Sequence, residues 1–305
     1  MKSTYCISSD EQTELHLIYW EPTLPIKGIV QLIHGMAEYI ERYGDFADYL
    51  TTLGYLVVGH DHLGHGKSVD QQESQHGYFG KGDTARHVIA DIEVVRMYTA
   101  EQYPELPYFM LGHSMGSFAL RCYLQNYQIP LSGAVFMGTG TGSTIIPTVL
   151  SLTASLNKLQ PKKVNHLLDN LAFGSFSKKF PEPGRFNWLS KNQDNVHSYE
   201  EDELTGFTFT NNGFHTLFQL IHGANKKGWS ETLPKELPLL LISGEKDPVG
   251  DYGKGVRKIA KTLDASGIQD VSMVLFAELR HELLFEKEKP QVYEKIGTWF
   301  DKHLS

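Results

Sequence analysis

The sequence holds only two cysteines, Cys6 and Cys122, in 305 residues. Two are too few for a disulfide scaffold, so the fold must come from a packed core. Positive charge is in deficit: 28 lysines and arginines stand against 36 aspartates and glutamates, a net charge of −8. Non-specific nucleic-acid binding needs clustered positive charge, so no nucleic-acid partner is expected. No apolar run approaches the roughly 20 residues that span a bilayer. Residues 1–20 include one early lysine but no apolar run of about 7–15 residues, so no signal peptide is expected. Repeats and low-complexity segments are also missing. These absences lead to the expectation of a soluble, reduced, cytoplasmic protein.

What is present points to a globular enzyme-sized chain. Hydrophobic residues make up 41% and charged residues 21%, which excludes a disordered chain and a coiled coil. The length suggests roughly two domains, or one large α/β domain with an insertion. Short apolar runs rich in β-branched residues occur at 28–33, 55–58, 108–111, 133–137, 239–242 and 271–276. Such runs fit strands covered on both faces, as in a parallel sheet. Helical spacing falls between them: Ile40, Tyr43, Phe46, Tyr49, Leu50 and Leu53, then Val88, Ile92, Val95 and Tyr98. A last helix puts Val292, Ile296, Trp299 and Phe300 on one face, after Pro290. Alternating strands and helices imply βαβ units. Residues 4–8 and 14–20 read instead as an antiparallel hairpin.

The alternation stops between residues 139 and 236. Helical segments such as 145–159 and 214–222 occur there, without an evident buried strand. Eight of the sixteen phenylalanines lie in it: Phe173, Phe176, Phe180, Phe186, Phe207, Phe209, Phe214 and Phe218. They read equally well as second-layer core or as the lining of an apolar pocket.

The strongest local signal is Gly112-His113-Ser114-Met115-Gly116, after an apolar run and before a stretch that can be helical. A serine on a sharp strand-to-helix turn needs small residues two before and two after it. Ser68 and Ser243 read as lying in other turns. A serine hydroxyl needs a base, and the base a partner that fixes its tautomer. After the run at 239–242 comes Ser243-Gly-Glu-Lys-Asp247, where Asp247 is the chosen orienter and Glu245 and Asp251 are its rivals. After the run at 271–276 comes His281, placed where the base belongs. The order Ser114, Asp247, His281 fits a strand–turn–helix hydrolase site. Backbone N–H groups of Met36, after the run at 28–33, and of Met115 are the candidate oxyanion donors. The run His60-Asp61-His62-Leu63-Gly64-His65-Gly66 looks like a metal cluster, but Gly64 stands where a binuclear pattern needs aspartate. No metal is expected there.

At this point the residues resemble the α/β-hydrolase superfamily, in the branch of bacterial lysophospholipases and monoacylglycerol lipases, which is related to the serine aminopeptidases. The matching stretches are His34-Gly-Met-Ala-Glu38, Gly59-His-Asp-His-Leu-Gly-His-Gly-Lys-Ser68, Gly112–Gly116, Ser243–Val249 and Arg280-His281-Glu282. Within 139–236, Phe186-Asn-Trp-Leu-Ser190, Tyr199 and Leu204–Thr210 look like the cap of that branch. The resemblance implies an α/β-hydrolase fold: a mostly parallel eight-stranded sheet flanked by helices, with a helical cap insertion. Residues 1–138 and 237–305 would be the core and 139–236 the cap. It implies Ser114 as nucleophile, Asp247 as orienter, His281 as base, an acyl-enzyme, and no metal or organic cofactor. Tyr39 stands where many relatives have histidine, and Glu203-Leu204 replaces Asp-Pro.

The expected reaction is hydrolysis of a carboxylic ester with one acyl chain, a monoacylglycerol or lysophospholipid. Two alternatives stand beside it. An aminopeptidase would need an acidic clamp, for which Glu200-Glu201-Asp202-Glu203 is the candidate. A ligand receptor with slow turnover would keep the fold. The segment 144–159 is amphipathic and is a candidate for transient contact with lipid aggregates. Packing against other helices or a second subunit is the alternative, and the sequence leaves the oligomeric state open.

Overall fold

Apolar strands of this length need cover on both faces, and the chain supplies it with helices on each side of one sheet. The computed structural model describes residues 1–69 and 75–304. Among these, the strands are β1 (Lys2–Ile7), β2 (Glu14–Trp20), β3 (Gly28–Ile33), β4 (Tyr55–His60), β5 (Tyr108–His113), β6 (Gly133–Met137), β7 (Leu239–Gly244) and β8 (Val271–Phe276). They form a single sheet in the order β1-β2-β4-β3-β5-β6-β7-β8. The β1–β2 and β2–β4 pairs are antiparallel and all others parallel.

The helices are α1 (Gly44–Thr52), α2 (Thr84–Gln102), α3 (Met115–Asn126), α4 (Ile146–Leu159), α5 (His166–Phe173), α6 (Gln193–Glu201), α7 (Asn211–Asn225), α8 (Lys254–Ala265) and α9 (Lys289–Lys302). The period-2 alternation of strands sorts the core into two halves. Ile29, Leu56, Val58, Met110 and Phe136 pack with residues of α2, α3, α7 and α8. Val30, Val57, Phe109, Leu111 and Val135 pack with Phe46 and Leu50 of α1 and Ile296 and Phe300 of α9. The α4–α7 stretch lies between β6 and β7 and contains, among the described residues, an isolated bridge (Val164 to Thr210) but no strand.

The expected strands and helices form, with four differences, the first being that β1 runs over Lys2–Ile7 rather than 4–8. β4, β5 and β7 each run two residues past their apolar stretch: Gly112 and His113 still pair with Phe136 and Met137, and Ser243 and Gly244 with Leu275 and Phe276. Pairing uses backbone groups, so it does not stop where apolar side chains stop. Ser243 is therefore a strand residue, not a turn residue. The stretch from Ile40 begins as a 3-10 turn over Ile40–Tyr43 before α1. Its apolar spacing of three, from Ile40 to Tyr43 to Phe46, matches the tighter helix. Finally, β8 is an edge strand of mostly half-buried residues, with Met273 39% exposed, rather than one covered on both faces.

One charged residue ties the β6–β7 segment to α3. Arg121 of α3 is fully buried. Its guanidinium donates to Gly140 O at 3.1 Å, to Asn225 Oδ1 at 3.1 Å and to Ala224 O, and lies 4.0 Å from the Trp229 ring centre.

Candidate active site

Ser114 sits between β5 and α3 at φ 52° and ψ −118°. That is strained backbone for an L-residue, of order 1–3 kcal/mol, and it turns the chain sharply out of the strand. Gly116 is forced by the same turn, since a Cβ there would overlap Ile33 O. The loop after β3 also lies close: a Cβ on Gly35 would stand 3.1 Å from Ser114 Cβ.

Three strand ends bring the sequence candidates together. Ser114 Oγ is 2.8 Å from His281 Nε2, and His281 Nδ1 is 2.9 Å from Asp247 Oδ2. Asp247 is fully buried; its Oδ1 accepts the Val249 N–H at 2.8 Å and its Oδ2 the Ser243 hydroxyl at 3.3 Å. A carboxylate on Nδ1 favours the tautomer that leaves Nε2 as a proton acceptor. Met115 begins α3 and is buried; Met36 lies in the loop after β3, at the cavity wall. The N–H groups flanking Met36 are engaged: Gly35 N–H donates to Glu38 Oε1 at 2.6 Å and Ala37 N–H to His65 Nε2 at 3.2 Å.

His281 is fixed from both sides. Its neighbour Arg280 donates to Asn187 O at 2.6 Å and Ser190 O at 3.1 Å, and pairs with Glu182. Its other neighbour, Glu282, accepts from Arg42 at 2.9 Å and from Asn195 at 2.7 Å. Arg42 also pairs with Glu38 at 2.7 Å, and Glu38 Oε1 receives the Tyr43 hydroxyl at 2.9 Å and lies 3.1 Å from His113 Nδ1. Burial alone would raise the Glu38 carboxyl, but the His113 hydrogen bond and the Arg42 charge outweigh it and lower it. Burial would lower His113, but Glu38 and Glu282 raise it above the usual histidine range. The Trp188 ring packs 5.0 Å from His281. Sequence reasoning did not find this ionic group or the role of Trp188. The available signal was two acids, Glu38 and Glu282, embedded in otherwise buried turns.

Ser114 and His281 border a cavity of about 580 Å³. Phe173, Phe176, Phe186, Phe207 and Phe218 line it, while Phe209 and Phe214 are fully buried core and Phe180 packs under Arg280 at 4.1 Å. Both readings of the aromatics thus apply, to different residues. Ile145, Leu152 and Leu171 line the opening and are 61%, 52% and 71% exposed.

The other candidates fall elsewhere. Glu245 pairs with Arg257 at the surface, and Asp251 lies at the cavity wall, apart from the Ser114–His281–Asp247 chain of hydrogen bonds. Glu200, Glu201 and Glu203 are exposed, and Asp202 accepts the Tyr39 hydroxyl at 2.7 Å. In the histidine-rich turn, Asp61 Oδ1 accepts the Ile40 N–H at 2.8 Å and its Oδ2 the Lys67 N–H at 2.8 Å. His34, His60, His62 and His65 are buried with their rings against one another. This turn packs beside the loop after β3.

A family model described as Serine aminopeptidase, S33, matches residues 25–288. The chain belongs to that family. The S33 match contains Ser114, Asp247 and His281 together with the whole β6–β7 segment. A human monoglyceride lipase is 29% identical over 301 residues, 94% of this chain and 86% of that protein. A monkeypox virus monoglyceride lipase homolog is 28% identical over 303 residues, 97% of this chain and 98% of that one. The crystal structure of a thermostable carboxyl esterase from Bacillus coagulans, in complex with glycerol, superposes with a TM-score of 0.93 at 26% identity, covering 100% of this chain and 99% of that chain. The eight-stranded sheet with flanking helices is thus the α/β-hydrolase fold, and this S33 member has relatives that are lipases and esterases. Among the described residues no helix is long and apolar enough to cross a membrane.

Proposed function

We propose that the protein is a serine hydrolase that cleaves carboxylic esters with a single acyl chain, a monoacylglycerol foremost, through an acyl-enzyme. The observation that carries this reading is the Ser114–His281–Asp247 relay opening into an aromatic-lined cavity. His281 Nε2 takes the Ser114 proton as Oγ attacks the ester carbonyl, and the backbone N–H groups of Met36 and Met115 hold the oxyanion. His281 then protonates the leaving alcohol. Water, activated by the same nitrogen, releases the fatty acid. The relay requires no metal or organic cofactor.

In this reading residues 1–138 and 237–305 are the catalytic core, and 139–236 a cap that encloses the acyl chain. The exposed leucines and isoleucine around the opening touch lipid aggregates transiently, supported by their exposure and by the few charges on α4. Two free cysteines support a reducing, cytoplasmic setting. The peptidase alternative is weaker because its acidic clamp faces solvent: Glu200, Glu201 and Glu203 are exposed and do not line the cavity.

Initial rates on glycerol monoesters from short to long acyl chains, with a lysophospholipid alongside and Ser114→Ala as control, test the proposal. A maximum at medium or long chains that vanishes in the variant is expected. Hydrolysis confined to the shortest esters, or retained by S114A, would overturn it.

A further inference from the structure

A second serine–histidine–aspartate alignment lies outside the cavity. Ser3 Oγ is 2.8 Å from His16 Nε2, and His16 Nδ1 is 2.8 Å from Asp61 Oδ2. These separations match the 2.8 Å and 2.9 Å of the relay at Ser114. The three residues come from β1, from β2 and from the turn after β4, so the hairpin and its pairing to β4 assemble them.

We infer that Ser3 is a second activated hydroxyl, a site of covalent acylation on the edge strand of the sheet. His16 and Asp61 are buried, whereas Ser3 is exposed. The base is thus held away from water while the hydroxyl meets solvent. Asp61 is fixed by the Ile40 and Lys67 N–H groups, and the His16 backbone N–H donates to Ser68 Oγ at 2.9 Å. The Tyr5 ring packs 5.3 Å from the His16 ring. With Nδ1–H donated to Asp61, the Nε2 lone pair faces the Ser3 hydroxyl, the arrangement a general base needs.

The ligand class is an acyl donor with a good leaving group, an aryl ester or a thioester. Ser3 Oγ bonds to the carbonyl carbon and the bond to the phenolate or thiolate breaks. The Oγ proton passes through His16 to the leaving group. Ser3 lies in extended β1, not at a strand-to-helix turn. The gain of about 100- to 1,000-fold per oxyanion donor is therefore absent from the expected rate. Slow deacylation follows for the same reason, and the product is one stable ester per chain.

The test uses the full chain carrying Ser114→Ala, which silences the cavity. It is treated with an excess of a p-nitrophenyl ester, and in parallel with a fluorophosphonate, and adducts are mapped by peptide mass. Expected is one adduct per chain, on Ser3, formed at least tenfold faster than on the exposed Ser151 and Ser155, and lost in Ser3→Ala. His16→Gln, if it melts as a folded protein, slows labelling at least tenfold. Because His16 is buried, Ser3→Cys supplies a second measurement: its alkylation by iodoacetamide at pH 6 should exceed that of free cysteine tenfold. Labelling of Ser3 no faster than Ser151 and Ser155, an unchanged rate in folded H16Q, or S3C alkylation at the free-thiol rate would each overturn the inference. Ser3 would then be a plain hydrogen-bond partner of His16.

Discussion

Asp247 has two acidic rivals within four residues, and its surroundings separate them. Glu245 reaches solvent and an arginine, and Asp251 has no contact with the histidine; Asp247 is buried on Nδ1 of His281. Asp247→Asn would keep the shape but present an amide N–H₂ to that nitrogen, favouring the wrong tautomer. We expect kcat on a monoester to fall by about ten-thousand-fold with little change in melting temperature. Gly116→Ala should fail at the folding step instead, since the new methyl overlaps the β3 backbone; soluble yield and circular dichroism read this directly. The positions of Ser114, Asp247 and His281 could be read in order along the chain because each follows an apolar strand. The Glu38–Arg42–Glu282 group could not, because Arg42 and Glu282 are 240 residues apart and nothing local pairs them. The Ser3–His16–Asp61 alignment escaped for the same reason: it needs the register of β1 on β2.

At the scale of elements, hydrophobic spacing located the strands well and their ends less well, because Gly-His and Ser-Gly endings pair through backbone. The amphipathic character of α4 was legible, but not which way its apolar face points. The structure buries Ile146 and Thr153 of this helix and leaves apolar residues outside. Leu159 is 77% exposed, and Leu167 on α5 is 69% exposed; neither lines the cavity. Placing two such side chains in lipid gains about 1–2 kcal/mol each. The double variant Leu159→Ser, Leu167→Ser should lower the rate on micellar monoacylglycerol at least about tenfold. Rates on a monomeric short-chain ester should stay unchanged. Equal losses on both substrates would count against lipid contact.

Across the whole molecule, four buried histidines set the acid limit of stability. Burial pushes His62 down to about 4 and His65 to about 3, and holds His34 and His60 well below the usual value of 6.5. Below pH 6.5 the unfolded chain takes up these protons and the native state does not. Their contribution is therefore complete above pH 6.5 and is lost as pH falls toward 3–4. Asp91, pushed up to about 6 by burial, and Glu286, raised by burial, oppose this in part by taking protons in the native state. His113, raised, contributes below pH 6.5 and is lost as pH climbs through its native value. Glu38, lowered, adds a further loss below pH 4.5. His60 has no hydrogen-bond partner for either ring nitrogen among the described residues. His60→Phe should reduce the slope by about one proton in urea melts at pH 4.5–6.5 and hold stability at pH 7.5; an unchanged slope would refute it.

Arg121 grips Gly140 just after β6 and Ala224 and Asn225 at the end of α7, from the helix that directly follows Ser114. The start of the β6–β7 segment and the end of α7 are thus held by one side chain. Separating either stretch from α3 would leave a buried cation without its partners. The opening of the cavity lies instead beside Leu152 of α4 and Leu171 of α5, both largely exposed.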